Sequence, residues 1–188
     1  MEIIVKELTD YTGPLLPELN FDDFSHDTLV KILAMYAKLY IALDGFWYMT
    51  VMERNGNDEA LACDIQAWTL MSKYEKKRIS ETLNIKGNDV LSFMKTLQIS
   101  PWFIHTKYHM DMKDNNNATL TVTHCPTLDA LEKEGKGRQK DICGIFEPKI
   151  FKNYASLFSP NMEVRALSPL PRENRQDICC SWSFGLKT

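Results

Sequence analysis

No stretch of this chain is apolar for the roughly 18 residues that a membrane-spanning helix needs, so no membrane partner is expected. There is no Cys-x-x-Cys pair, which argues against a zinc ribbon or a thioredoxin-like site. Charge of one sign is also missing: the formal net charge is −3 and the pI 5.8, a poor match to a nucleic-acid coat. The segment Met1-Glu2-Ile3-Ile4-Val5-Lys6-Glu7 carries no basic n-region and no cleavage site, and is not read as a secretory signal. Internal repeats and low-complexity tracts are absent. What remains is 188 residues, 44% of them apolar, enough for a proper core. Five cysteines is an odd number, and a chain of this size needs no disulfide staples. They are expected to be reduced thiols in a bacterial-type cytosol, so a cytoplasmic location is expected.

Three regions follow from composition and periodicity. Residues 1–24, with Gly13, Pro14 and Pro17, read as an extended arm. Residues 25–100 read as helical. Ser25 or Asp23 caps a first helix that carries Leu29, Ile32, Leu33, Tyr36, Leu39, Tyr40, Leu43 and Trp47 and stops at Asn55-Gly56. Val30, Ile41, Phe46 and Tyr48 widen its apolar stripe. Such a helix is buried on more than one side or packs against a second copy, which makes a homodimer one expectation. A second helix opens at Asp58 and ends at Lys86-Gly87, and a third holds Val90, Leu91, Met94 and Leu97.

Residues 101–188 read as an α+β unit. From Trp102 the period becomes two, Asp114 to Asn117 makes a turn, and Thr119 to His124 returns as a strand. Helices are expected at Thr127 to Glu134 and Pro148 to Phe158, and strands at Met162 to Leu167 and Asp177 to Leu186. The fold class is therefore α+β, with N-terminal helices packed with a C-terminal antiparallel sheet that is covered by helices, in one unit.

His105 and His109 have the spacing of two metal ligands on a helix. On a strand the same spacing puts the rings roughly 13 Å apart, too far for one ion. Cys179 and Cys180 are neighbours, so a strand sends them to opposite faces. Cys180 then shares a face with Ile178, Trp182, Phe184 and Leu186. Glu75 to Leu97 imitates a helix-turn-helix, but its would-be reading helix has no arginine, so no nucleic-acid partner is expected.

The back half carries a recurring set. It comprises Cys125-Pro126, Ala130, Gly135, Cys143, the helix with Phe151, Tyr154 and Phe158, Ser159-Pro160-Asn161, Pro171-Arg172, and Asp177-x-x-Cys180-x-Trp182-x-Phe184. This set resembles the L-2-amino-thiazoline-4-carboxylic acid hydrolase-like family of small bacterial proteins. It is closer still to a neighbouring group of uncharacterised cytosolic proteins that share a pattern like Asp44-Gly45-Phe46-Trp47 and the stretch around Trp68. The resemblance implies helices packed on an antiparallel sheet, as in small-molecule domains. It also implies hydrolase-like opening of a C–N/C–S ring, with Cys125, Cys143 and Cys180 as catalytic candidates and Asp177 beside the last. Close relatives often show a further cysteine where this chain has Ser168-Pro169-Leu170-Pro171, so a sulfur cluster would be one member short here.

Three hypotheses stay open. In the first, Cys180 or Cys125 is a nucleophile, His124 or His105 the general base, and Asp177 the orienting group. In the second, there is no turnover. Cys125, Cys143 and Cys180 hold a soft, zinc-like metal, or line an apolar pocket with Trp182, Phe184, Phe151, Tyr154 and His105 for a small-molecule ligand. In the third, the cysteines are core fillers in an interaction domain. The first two require the three sulfurs to share a hollow.

Overall fold

A computed structural model describes residues 7–186; residues 1–6 of the expected arm lie outside that range. The rest of the arm is largely exposed chain with a 3-10 turn at Phe21–Asp23, tied back where Leu8 and Phe24 form a single bridge. Ser25 then caps α1 (His26–Asn55), its side chain accepting from the backbone N–H of Thr28. Gly56, at φ 89°, turns the chain directly into α2 (Asn57–Leu83), so the two long helices form a hairpin. The second helix ends earlier than its sequence suggests. Asn84 adopts the left-handed conformation, which Asn tolerates, and closes the helix ahead of Lys86-Gly87. Asp89 caps α3 (Val90–Ile99) by accepting from Ser92 N–H at 2.8 Å.

The aromatic alternation after Pro101 starts as a turn rather than a strand. Trp102 to Thr106 fold over the end of α3, with Phe103 N–H and Ile104 N–H both bonded to Ser100 C=O. Strand β1 begins at Lys107 (Lys107–Asp114) and pairs with β2 (Asn117–His124). Next come α4 (Pro126–Glu134), a short turn α5 (Gln139–Asp141), a π-helix (Ile142–Phe146) and α6 (Glu147–Phe158). Strands β3 (Met162–Ala166) and β4 (Cys180–Leu186) complete an antiparallel sheet of order β1-β2-β4-β3. The fold is the α+β class expected from the sequence.

Register puts Leu120 opposite Trp182, Val122 opposite Cys180 and Ala118 opposite Phe184. These six side chains share one face and are all buried, while Thr119, Thr121 and Ser183 take the other face. Phe93 and Leu97 of α3 and Phe151, Tyr154 and Phe158 of α6 cover the apolar face. Full burial of each large apolar side chain contributes about 1.5–3 kcal/mol. Phe93 meets Phe184 at 4.9 Å between centroids, and Phe151 meets Trp182 at 4.9 Å. Trp182, Phe184 and Tyr154, expected to line a pocket, are therefore core residues.

The first helix departs most from expectation. Only Thr28, Ala37 and Tyr48 of α1 are buried. Leu33, Tyr36, Leu39, Leu43 and Phe46 are exposed, Leu43 by 70% and Phe46 by 63%. At 100° per residue these side chains fall on one side of the helix, away from α2. The stripe is not consumed inside the chain.

Candidate functional site

A cavity of about 400 Å³ opens between the α1–α2 hairpin and the α+β layer, within the usual size range of small-molecule sites. One end is sulfur-rich. Cys180 points from β4, Cys143 from the π-helix, and Cys125 sits where β2 turns into α4, and all three line the cavity. Cys125 is the N-cap of α4, its Sγ accepting from Leu128 N–H at 3.5 Å. A helix N-terminus ordinarily favours a thiolate. Here burial wins, and the nearby Glu147 carboxyl adds to it, so the Cys125 thiol is pushed up to about 12. Burial, then Glu147, also raises Cys143 and Cys180 above the ordinary thiol value. At pH 7 a thiol of pKa 12 is ionised in about one molecule in 10⁵.

These thiols do not fit a zinc-like metal. Among the described residues no three His, Cys, Asp or Glu side chains are grouped to hold one ion. A metal thiolate site needs ligands held in the charged form, and this environment opposes that form.

The opposite wall is acidic and aromatic; Asp44 and the stretch around Trp68 stood in the sequence as pattern residues, but nothing there placed them, or Asp64, at a site. Asp44 on α1 and Asp64 on α2 lie within hydrogen-bonding reach of each other, which two ionised carboxylates could not sustain. Asp44 also accepts from Trp68 Nε1 at 2.8 Å. Asp64 is 3% exposed and is raised to about 8, by burial first and then by the Asp44 charge. The pair holds one proton between two carboxyls at neutral pH. No other described side chain or backbone group donates to Asp64 Oδ1. Trp68 stands edge-on to Tyr40, Trp102 and Phe146 at 5.8, 5.9 and 6.2 Å. Behind this wall Glu75 accepts from Trp102 Nε1 at 3.2 Å and is raised by burial to about 6.

The π-helix sets the geometry of this junction. Such turns carry one extra residue per turn and recur at functional sites. This one places Cys143 and Phe146 on the cavity and leads into Glu147 at the start of α6. Burial alone lifts Glu147 to about 7, and no described group gives its carboxyl a hydrogen bond. The junction is anchored by a relay: Tyr48 O–H donates to Asn57 Oδ1 at 2.8 Å, and Asn57 Nδ2 donates to Asp141 Oδ2 at 2.9 Å. Arg138 lies 5.3 Å over the Tyr48 ring and makes two hydrogen bonds to Glu134.

Cys125, Cys143, Cys180, Phe151 and His105 line the cavity, as expected; Trp182, Phe184, Tyr154 and Asp177 do not. Asp177 is exposed and accepts from Asn174, within its own loop, at 3.2 Å, so it is no partner for Cys180. His124 pairs with Asp129 at 3.3 Å outside the cavity. His105 is on the cavity wall with a buried Nδ1 that finds no partner, and burial lowers its basicity.

Residues 22–186 match a family of unknown function, DUF6125. The chain belongs to this family. No curated protein and no solved structure matches it. Among the described residues no helix is long and apolar enough to cross a membrane.

Proposed function

We propose that this protein binds a small molecule in the cavity between the helical hairpin and the sheet layer, with the three thiols forming a non-nucleophilic, polarizable end of the site. The observation that supports this reading is the convergence of Cys125, Cys143 and Cys180 on one hollow that also meets Trp68, Trp102 and Phe146. The neutral state of the thiols favours contact over covalent attack. A fluorinated-fragment NMR screen tests it. Fragments that broaden with the wild-type chain are expected to lose that broadening with Ala42→Phe, which puts a ring into the hollow from α1. An identical hit list for both proteins would overturn the reading.

Hydrolase-like opening of a C–N/C–S ring, as in the family that the cysteine pattern resembles, is a second reading. It draws support from Glu147, whose rise to about 7 suits a general acid–base at neutral pH, beside thiols that would contact the ring. Incubation with a thiazoline carboxylate and assay of released thiol tests it, and Glu147→Gln is expected to abolish any release. The exposed stripe of α1 fits a second copy of the chain, which we propose as its cover. Contiguous exposed apolar surface of this kind marks association sites.

A further inference from the structure

We infer that the ligand of this cavity is a protonated primary or secondary amine, whose N–H donates to Asp64 Oδ1 and whose apolar body lies against Trp68, Trp102 and Phe146. The inference rests on the reading that the cavity holds a small molecule, and adds the chemical class of that molecule.

The argument starts from an unmet acceptor. Asp64 is 3% exposed, lines the cavity, and its Oδ1 has no donor among the described residues. A buried carboxyl oxygen without a donor is costly unless something outside the chain supplies one. Asp44 cannot supply it, because Trp68 and Asp64 already share that carboxylate and the pair carries negative charge together. The cavity's own cation is occupied elsewhere: the Arg138 guanidinium is held by both oxygens of Glu134 and lies over Tyr48. Burial works against a charge on His105. Glu147 adds a third carboxyl without a donor. An incoming anion would meet three acids. A neutral alcohol could donate one hydrogen bond but leave the charge of the pair unanswered. An alkylammonium supplies both the N–H and the charge, and indole and phenyl rings beside it add cation–π attraction. A quaternary ammonium would gain the rings but has no N–H for Oδ1.

A matched probe series tests this by titration calorimetry at pH 7 on the full chain: 2-phenylethylamine, 2-phenylethanol, 3-phenylpropanoate and trimethyl(2-phenylethyl)ammonium. The amine is expected to bind about tenfold or more tighter than the alcohol and the quaternary ion, and the propanoate not to bind. Asp44→Asn, which removes the charge of the pair and leaves Asp64 Oδ1 in place, is expected to remove most of the amine's advantage while the alcohol's Kd stays within about twofold. Equal affinity for amine and alcohol would overturn the amine assignment and leave the cavity reading standing. Quaternary and primary ammonium binding alike would overturn the role of Oδ1. Failure of every probe to bind would overturn both readings together. The wild-type series decides the question even where Asp44→Asn does not fold.

Discussion

Trp68 Nε1 donates to Asp44 Oδ1 at 2.8 Å, and this single bond joins α2 to α1 at the rim of the cavity. Both residues belong to the front-half pattern read from the sequence, although they lie on different helices and nothing in their spacing announced a contact. Burial raises both carboxyls, and the indole bond offsets that rise at Asp44, so the shared proton favours Asp64.

Removing that donor should be expensive. Trp68→Phe keeps a ring among Tyr40, Trp102 and Phe146 but strips the N–H from a partly buried carboxylate. The expected loss is about 2–3 kcal/mol in urea unfolding at pH 7, shrinking at pH 5, where the pair is more fully protonated. A loss below about 0.5 kcal/mol would show that the bond is incidental.

Stability should fall as pH rises from about 5 to 8. Glu75, Glu147 and Asp64 are raised to about 6, 7 and 8. An acid whose folded pKa exceeds its unfolded value near 4 holds its proton only in the folded state across that window. Its contribution is present at low pH and is lost as pH climbs through the folded pKa. His105, lowered by burial, works the opposite way below the ordinary histidine value but is a single group. For Glu75 alone the effect is on the order of 2 kcal/mol. Glu75→Gln should flatten the decline of Tm between pH 5 and 8 and raise Tm at pH 8, and an unchanged slope would remove Glu75 from this account.

Native thiols should label in a set order. Cys63, half-exposed on α2, should react first with a maleimide at pH 8. Cys143, Cys179 and Cys180 are buried and should react only on unfolding, with Cys125 close behind Cys63 in access but slowed by its high pKa. Mass mapping reads this directly. Rapid native labelling of Cys180 would restore the nucleophile hypothesis.

Arg172 should be a strong structural site. Its guanidinium makes paired bonds of 2.8 Å to both oxygens of Glu132, reaches Asp129 at 3.1 Å and Cys179 Sγ at 3.4 Å, and its side chain is 9% exposed. It thereby pins the loop before β4 onto α4. Arg172→Met should cost about 2 kcal/mol because it leaves Glu132 with only the exposed Arg175, at 3.3 Å, and Arg172→Lys should recover little, since a point charge cannot make the paired contact. Full recovery by lysine would mean that charge alone suffices.

The bare stripe of α1 predicts a dimer at micromolar concentration in light scattering. Leu39→Glu with Leu43→Glu should shift it to monomer without loss of helical signal. A wild-type monomer at 100 μM would refute self-association.

Much of the architecture was legible because periodicity is local: α1, α3, α4 and α6 begin near their capping or proline signals, and β4 keeps Cys180, Trp182 and Phe184 on one face. The turn at Trp102 to Thr106 was not, since alternating aromatics look the same whether they stack around a turn or along a strand. Cysteines flagged one end of the cavity because they are few. Asp44 stood in the front-half pattern, but its pairing with Asp64 left no trace in the sequence. Asp44 and Asp64 each look like a polar position on a helix, and only the hairpin at Gly56 brings them together. Glu147 was hidden because the expected helix opened one residue later, at Pro148, and the five uncharged residues of the π-helix before it carry no helical period.

That π-helix has a further consequence. An ordinary helix rotates about 100° per residue, so excising one residue from Ile142–Phe146 would restore regular winding and swing everything before the cut around the axis of α6. Cys143 would leave the hollow while Glu147 stayed. The composition of the sulfur end is thus set by one inserted residue, and insertion or loss of that residue is a single genetic step by which a relative could trade its thiol for another side chain without altering the sheet.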